Sequence, residues 1–133
     1  MVWLALYFLF QAPLPTLWFA SSLKAFGFFL IPVILYPVLE EIAFRGLVQE
    51  TFWAQSWGKP AWLKLSVANL LTSVLFVAAH FFYHPPLWAL SVFFPSLVFG
   101  FFRDKYQSVI PAILLHVFYN LGFIWLFGKP SGV

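Results

Sequence analysis

Glutamate, histidine and asparagine side chains that can do acid–base chemistry stand inside otherwise apolar stretches of this sequence: Glu40, Glu41, His80, His116 and Asn120. A carboxylate can take a proton from water, and imidazole and amide N–H groups can donate hydrogen bonds to an oxyanion that forms during hydrolysis. These residue types therefore indicate general acid–base chemistry in an apolar setting.

The two adjacent glutamates have different helical neighbours. Consecutive residues of a helix point about 100° apart, whereas positions i and i+4 share a face. Glu41 therefore pairs with Arg45, while Glu40 stacks with Phe44 and has no counter-charge on its own helix. This predicts Glu40 as the catalytic carboxylate and Glu41 as the ion-pair partner of Arg45. The alternative is one buried charge network that only fixes helix packing.

The remaining polar residues also show helical spacing. His116 and Asn120 lie at i and i+4, so one face presents an imidazole and an amide, which predicts a pair of oxyanion donors. His80 follows Phe76 at the same spacing, and the aromatic ring could hold the imidazole in place. The alternative is that these side chains make ordinary hydrogen bonds between membrane helices, worth about 0.6 kcal/mol on average.

Composition places this chemistry in a membrane. Of 133 residues, 63% are hydrophobic and 8% charged, which nearly excludes a water-soluble domain. The seven Lys and Arg are scattered, which excludes a nucleic-acid-binding patch. Because the chain has no Cys, a metal would need His and carboxylate ligands.

The apolar segments define the elements that must position these residues. They predict an all-α integral membrane protein, a bundle of four to five transmembrane helices with a polar site inside, in one domain covering 1–133. An interfacial segment is expected over 51–64, and the charged triplet Arg103-Asp104-Lys105 is expected to end the fourth span. The predicted spans are 1–23, broken by Pro13 and Pro15, then 25–48, 66–83, 87–102 and 108–127.

Positive charge sets the expected orientation. By the positive-inside rule the side richer in Lys and Arg is cytoplasmic, which gives an N-in, C-out topology. Lys59, Lys64, Arg103 and Lys105 lie on that side, and Lys24 and Lys129 on the other.

Three short motifs carry a family resemblance. Residues 40–45 match Glu-Glu-x-x-x-Arg, residues 76–80 match Phe-x-x-x-His and residues 116–120 match His-x-x-x-Asn, in this order and in separate apolar segments. The sequence, with its motif-bearing core at 40–120, resembles the CPBP family of intramembrane proteases. That family is related to the type II CAAX prenyl endopeptidases and to bacteriocin-processing and immunity proteins.

The resemblance implies roles for individual residues. Glu40 would activate the attacking water together with His80, while His116 and Asn120 would bind the oxyanion. Glu41 with Arg45 would hold the helix that carries this base. The implied protease is of the glutamic type and needs no cofactor. A metalloprotease is the alternative, because two His and a Glu also suit Zn²⁺. The sequence lacks His-Glu-x-x-His, which would place two zinc ligands on one helix face.

The expected function is an intramembrane endopeptidase that cleaves a membrane-anchored protein or peptide near its C-terminus. The substrate would be CAAX-like, or would bear a sorting tag or a leader, and the expected location is a bacterial inner membrane. The expected partners are this substrate and the lipid bilayer, with no nucleic acid. Two other classes stay open, namely a non-catalytic immunity or partner-binding membrane protein, and a small proton-coupled transporter subunit.

Overall fold

A computed structural model describes residues 22–59, 61–62 and 64–127. Within these residues the fold is helical apart from one short strand pair. The predicted first span, 1–23, lies almost entirely outside the described residues. The elements are α1 (Leu23–Trp53), β1 (Ala61–Trp62), β2 (Leu65–Ser66), α2 (Val67–His80), α3 (Pro86–Ser91), α4 (Phe93–Tyr106) and α5 (Ile110–Phe127).

Helix α1 alternates between α- and π-helical geometry. Ser22 caps its start, where the Ser22 hydroxyl accepts a hydrogen bond from the backbone N–H of Ala25 at 3.1 Å. Pro32, which has no N–H to donate, lies at the start of the first π-helical segment. The second π-helical segment begins directly after Glu41, and such segments occur often at functional sites. The α-helical parts are Leu23–Leu30, Tyr36–Glu41 and Glu50–Trp53, and the π-helical parts are Ile31–Leu35 and Ile42–Gln49.

The segment between α1 and α2 differs from the expected boundaries. Helix α1 continues to Trp53, about one turn beyond the predicted end near residue 48. That prediction placed the end of the helix at the end of the apolar run, but the backbone stays helical through the polar residues that follow. The chain then turns into an antiparallel pair in which Ala61 lies opposite Ser66. Lys64 adopts the left-handed conformation, with φ of 65°, that this tight reversal requires.

The ends of the next helices follow from local chemistry. The Ser66 hydroxyl caps α2 by accepting from the backbone N–H of Asn69 at 2.9 Å. Pro86 is the first residue of α3 and Pro85 precedes it, one residue before the predicted start of the fourth span at 87. Helix α4 runs through Arg103-Asp104-Lys105 and ends at Tyr106, directly after this triplet and four residues beyond the predicted end of the apolar span at 102. Arg103 and Asp104 form an ion pair. The residue that follows the helix, Gln107, has φ of 50° and is left-handed.

The chain forms two compact units. In the described part, one unit comprises 22–37 and 117–127, and its core contains Ala25, Phe29 and Val33 packed against Val117 and Ile124. The other unit is 38–116, in which α2 packs along α4 and both contact the second half of α1.

Burial is inverted with respect to a water-soluble protein. Glu41 and Arg45 are 0% exposed, whereas Leu87 is 84% and Phe94 is 73% exposed. Polar groups inside and apolar groups outside are the arrangement that a lipid solvent favours. Helix α1 (Leu23–Trp53) and the stretch Pro86–Tyr106, which comprises α3 and α4, are long and apolar enough to cross a membrane. The helices Val67–His80 and Ile110–Trp125 are shorter and also apolar.

Gly100 allows α2 and α4 to approach closely. A Cβ at this position would lie 2.0 Å from Oδ1 of Asn69, whose amide donates to the Leu97 carbonyl at 2.9 Å. We expect Gly100→Ala to lower stability by about 1–3 kcal/mol, because Asn69 must move. Gly27→Ala is the matched control, since a Cβ there meets no atom within 4 Å. Thermal unfolding of the two purified variants checks this, and equal melting temperatures would contradict it.

Candidate active site

Glu41 is the centre of the buried cluster in the 38–116 unit. Its Oε1 accepts a hydrogen bond from Nη1 of Arg45 at 3.1 Å, which is the pair that the sequence predicted. The same oxygen accepts from Nδ1 of His116 at 2.8 Å. Glu41 and Arg45 are fully buried, and His116 is 6% exposed. The second contact was not predicted, because nothing in the sequence links positions 41 and 116.

Arg45 connects this cluster to two other helices. Its Nη2 donates to the carbonyl oxygen of Ser96 at 3.0 Å and to the Ser96 hydroxyl at 2.7 Å, both in α4. Its guanidinium also lies over the ring of Phe76 in α2, 4.6 Å from the ring centroid. The position of the Glu41 carboxylate is therefore fixed through α1, α2 and α4. The contact of Ser96 with Arg45 could not be predicted from the sequence, because a single Ser is common in an apolar span.

Glu40 points away from this pair. Its side chain is 34% exposed, and its Oε2 lies 3.7 Å from Nε2 of His116. The imidazole of His116 thus faces a carboxylate on each ring nitrogen, with Glu41 at Nδ1 and Glu40 at Nε2. This is the divergence of the two glutamates that helix geometry predicted.

The hydrogen bond to Glu41 restricts what His116 can do. A carboxylate only accepts hydrogen bonds, so Nδ1 of His116 carries a proton. Nε2 can then accept a proton when the ring is neutral, and it can donate a hydrogen bond only when the ring is an imidazolium.

His80 is held in one tautomer. Its Nδ1 lies 2.8 Å from the carbonyl oxygen of Phe76, which can only accept, so Nδ1 carries the proton and Nε2 keeps its lone pair in the neutral ring. The His80 ring also packs on the Phe76 ring at 4.4 Å, as the spacing suggested. His84 and Trp88 stack on each other at 4.0 Å and lie against the outer side of His80.

Phe76 is shared by the two histidines. Its ring centroid is 4.4 Å from that of His80 and 6.0 Å from that of His116. The 38–116 unit thus gathers six of the predicted site residues: Glu40, Glu41, Arg45, Phe76, His80 and His116. Among the residues that the structure describes, Glu40 and His80 make no direct hydrogen bond.

Asn120 belongs to the other unit. Its amide Nδ2 donates to the carbonyl oxygen of Pro32, in the first π-helical segment of α1, at 2.9 Å. The amide has two hydrogens on this nitrogen, so one remains for another acceptor.

The described part of the chain contains no group of three His, Asp or Glu side chains placed to hold one metal ion. Glu40, His80 and His116, the residues that the zinc alternative would use, are therefore not arranged as a shared metal site within that part.

The fold and this cluster define a helical integral membrane protein in which Glu41, Arg45 and His116 are buried among apolar helices. The chain belongs to the type II CAAX prenyl endopeptidase Rce1-like family, which it matches over residues 22–122. Family membership makes it a CAAX-type intramembrane protease and confirms the resemblance seen in the sequence. A search of curated proteins found no match, and a search of solved structures found none either.

Proposed function

We propose that this protein hydrolyses a peptide bond of a membrane-anchored substrate with a water molecule activated by Glu40. The observation that carries the proposal is the contrast between the two glutamates. Glu41 is buried and bonded to Arg45 and His116, whereas Glu40 is partly exposed beside the same imidazole. A partly exposed carboxylate next to a fixed imidazole is an arrangement that suits general-base catalysis.

The proposed reaction has two steps. Glu40 takes a proton from water, with Nε2 of His80 alongside, and the oxygen attacks the carbonyl carbon of the scissile bond. The imidazolium of His116 and the amide of Asn120 donate to the oxyanion of the tetrahedral intermediate. The C–N bond then breaks, and the proton held by Glu40 passes to the leaving amine. Glu41 and Arg45 position His116 throughout.

The proposed substrate is a protein or peptide cleaved near its C-terminus. The family name refers to CAAX prenyl endopeptidases, and a CAAX-like substrate is one option. For this chain we favour a protein with a C-terminal membrane-sorting tag or a leader peptide, in a bacterial inner membrane. Purified protein incubated with tagged peptides, followed by mass spectrometry of the products, tests this. A parent protein that cleaves none of them would overturn the proposal.

Asn120→Ala should leave a slow but measurable enzyme. Removing one oxyanion donor typically costs about 10²–10³ in rate, while the remaining donor and the base still act. Single-turnover cleavage rates measure the effect. Leu121→Ala is a suitable control, because its exposed side chain lies on the same helix. An Asn120→Ala protein with the full parent rate would remove Asn120 from the oxyanion site.

Metal removal separates the glutamate mechanism from the zinc alternative. A zinc ion would both acidify the water and polarise the carbonyl, so its loss would abolish activity. We expect activity to persist after treatment with a strong chelator, dialysis and confirmation by elemental analysis that no metal remains. Stoichiometric zinc that restores a lost activity on re-addition would establish the metalloprotease instead.

A further inference from the structure

Helix α4 and strand β2 form an open groove on the surface of the 38–116 unit. The groove has a volume of about 430 Å³ and no polar surface in its lining. Ser96, which bonds to Arg45 of the catalytic cluster, lies on the opposite face of α4. The groove is therefore separate from the candidate active site. Its lining residues are all apolar: Leu65, Phe94, Leu97, Val98, Phe101 and Phe102.

The lining residues of α4 form one stripe that ends in a positive charge. Phe94, Val98 and Phe101 recur at helical spacing, and Lys105 follows Phe101 by four residues, so Lys105 continues the same face. From Phe94 to Lys105 the stripe is about 16 Å long at 1.5 Å per residue. One leaflet of the hydrocarbon core is about 15 Å thick. The stripe therefore has the length of one leaflet.

Strand β2 brings a second positive charge to the same end of the groove. The Ser66 hydroxyl donates to Oδ2 of Asp104, which holds β2 beside the last turn of α4. Lys64 directly precedes the lining residue Leu65. Lys64 and Lys105 are both exposed, and among the residues that the structure describes neither forms an ion pair.

The other charged side chains at this end are already paired. Arg103 forms ion pairs with Glu50 and Asp104. The Asp104 carboxylate also accepts hydrogen bonds from Gln49 and Ser66. The two lysines are therefore the cations available to a ligand at the end of the groove.

Aromatic residues place this end of α4 at the membrane surface. Tyr106 is 55% exposed, and the Lys105 ammonium lies 5.3 Å from its ring centroid. Trp57 is 45% exposed, and the carbonyl of the neighbouring Gly58 accepts a hydrogen bond from the first turn of α2 at 3.1 Å. Tyr and Trp are enriched at the depth of the lipid headgroups. The apolar stripe thus extends from headgroup depth into the bilayer.

We propose that this groove is a binding site for one anionic phospholipid. An acyl chain lies along the α4 stripe, and the phosphate bonds to the ammonium groups of Lys64 and Lys105. A groove without polar groups does not hold water, so in a bilayer an acyl chain fills it. Basic side chains next to such a surface select anionic headgroups. Lipid binding at this site does not depend on peptide cleavage.

Native mass spectrometry tests the lipid preference. The full chain, purified in an uncharged detergent, is mixed with equal amounts of phosphatidylglycerol and phosphatidylcholine that carry the same acyl chains. We expect about tenfold or more bound phosphatidylglycerol, because each lysine near a headgroup phosphate adds about fivefold in affinity. Equal binding of the two lipids would overturn the proposal.

Lysine variants locate the headgroup. Lys64→Gln and Lys105→Gln should each lower phosphatidylglycerol binding about fivefold and leave phosphatidylcholine binding unchanged. Lys24→Gln is the matched control, since it removes the same charge from the other unit and should have no effect. An undiminished preference in the double variant Lys64→Gln and Lys105→Gln would contradict the assignment.

A bulky side chain tests the acyl-chain site. Val98→Trp should fill the groove and remove most of the binding of both lipids. Val74→Trp is the matched control, because Val98 is 39% and Val74 55% exposed, and Val74 lies on α2 outside the groove. A changed oligomeric state of Val98→Trp with unchanged lipid binding would assign the groove to a second copy of the chain and overturn the proposal.

The melting temperature of the parent protein gives a readout that needs no variant. A ligand that binds the folded state stabilises it, so phosphatidylglycerol should raise the melting temperature more than phosphatidylcholine at the same concentration. Glycerol 3-phosphate, which has the phosphate but no acyl chain, should leave it unchanged. Equal shifts with the two lipids, or a full shift with glycerol 3-phosphate, would overturn the proposal.

Discussion

Glu40→Gln should abolish peptide cleavage and leave the protein folded. Glutamine keeps the shape of the side chain but cannot accept a proton from water, and general-base catalysis contributes about 10²–10⁴ in rate. Folding should be spared because Glu40 is partly exposed and its nearest charged partner, Nε2 of His116, is 3.7 Å away. Cleavage of a tagged peptide and accumulation in the membrane are the two measurements.

The outcomes of this experiment separate the competing functions. Lost cleavage with normal accumulation supports the protease. Collapse of accumulation would mean that Glu40 serves packing, as expected for a non-catalytic immunity or partner-binding protein. Lost proton flux, in a parent protein that never cleaves, would indicate a transporter subunit. Leu39→Ala is a suitable control, since this neighbouring side chain is exposed on the apolar surface.

Glu41→Gln should mainly destabilise the protein, by about 3–5 kcal/mol, because it leaves a buried guanidinium without its counter-charge. Oε1 of Glu41 accepts from both Arg45 and His116, so one substitution weakens two contacts. Thermal unfolding in detergent measures the loss.

A double variant provides the control for this prediction. Glu41→Gln combined with Arg45→Met removes both charges, so the stability should be partly restored. A Glu41→Gln protein that is stable but inactive, together with an active Glu40→Gln protein, would exchange the roles of the two glutamates.

Local spacing explains which contacts the sequence could predict. The Glu41–Arg45 pair and the Phe76–His80 contact both follow from residues four apart on one helix, and the structure has both. The apolar runs likewise located α2 and α5 to within a few residues.

Contacts between distant segments had no such signal. His116 bonds to Glu41 across 75 positions, and Arg45 reaches Ser96 across 51. Helix packing decides these contacts, and periodicity within one segment carries no information about its neighbour. The π-helical segments of α1 were missed because the sequence there reads as an ordinary apolar helix. The fourth span was predicted to end at 102 because charged residues usually mark the end of a span, and here Arg103 is paired with Glu50 and Asp104 within the helical part of the protein.

Because polar side chains are buried and apolar side chains are exposed in this protein, the interactions that hold its helices together differ from those of a water-soluble protein. In lipid, apolar contacts between helices replace apolar contacts with acyl chains, so they favour the folded state little, and hydrogen bonds and close packing hold the helices together. Here those bonds include Arg45 to Ser96 and Asn69 to Leu97. In the proposed mechanism Arg45 supports His116 through Glu41, and the same guanidinium also joins α1 to α4. A substitution of Arg45 should therefore change the rate of the proposed reaction and the stability of the helix packing together.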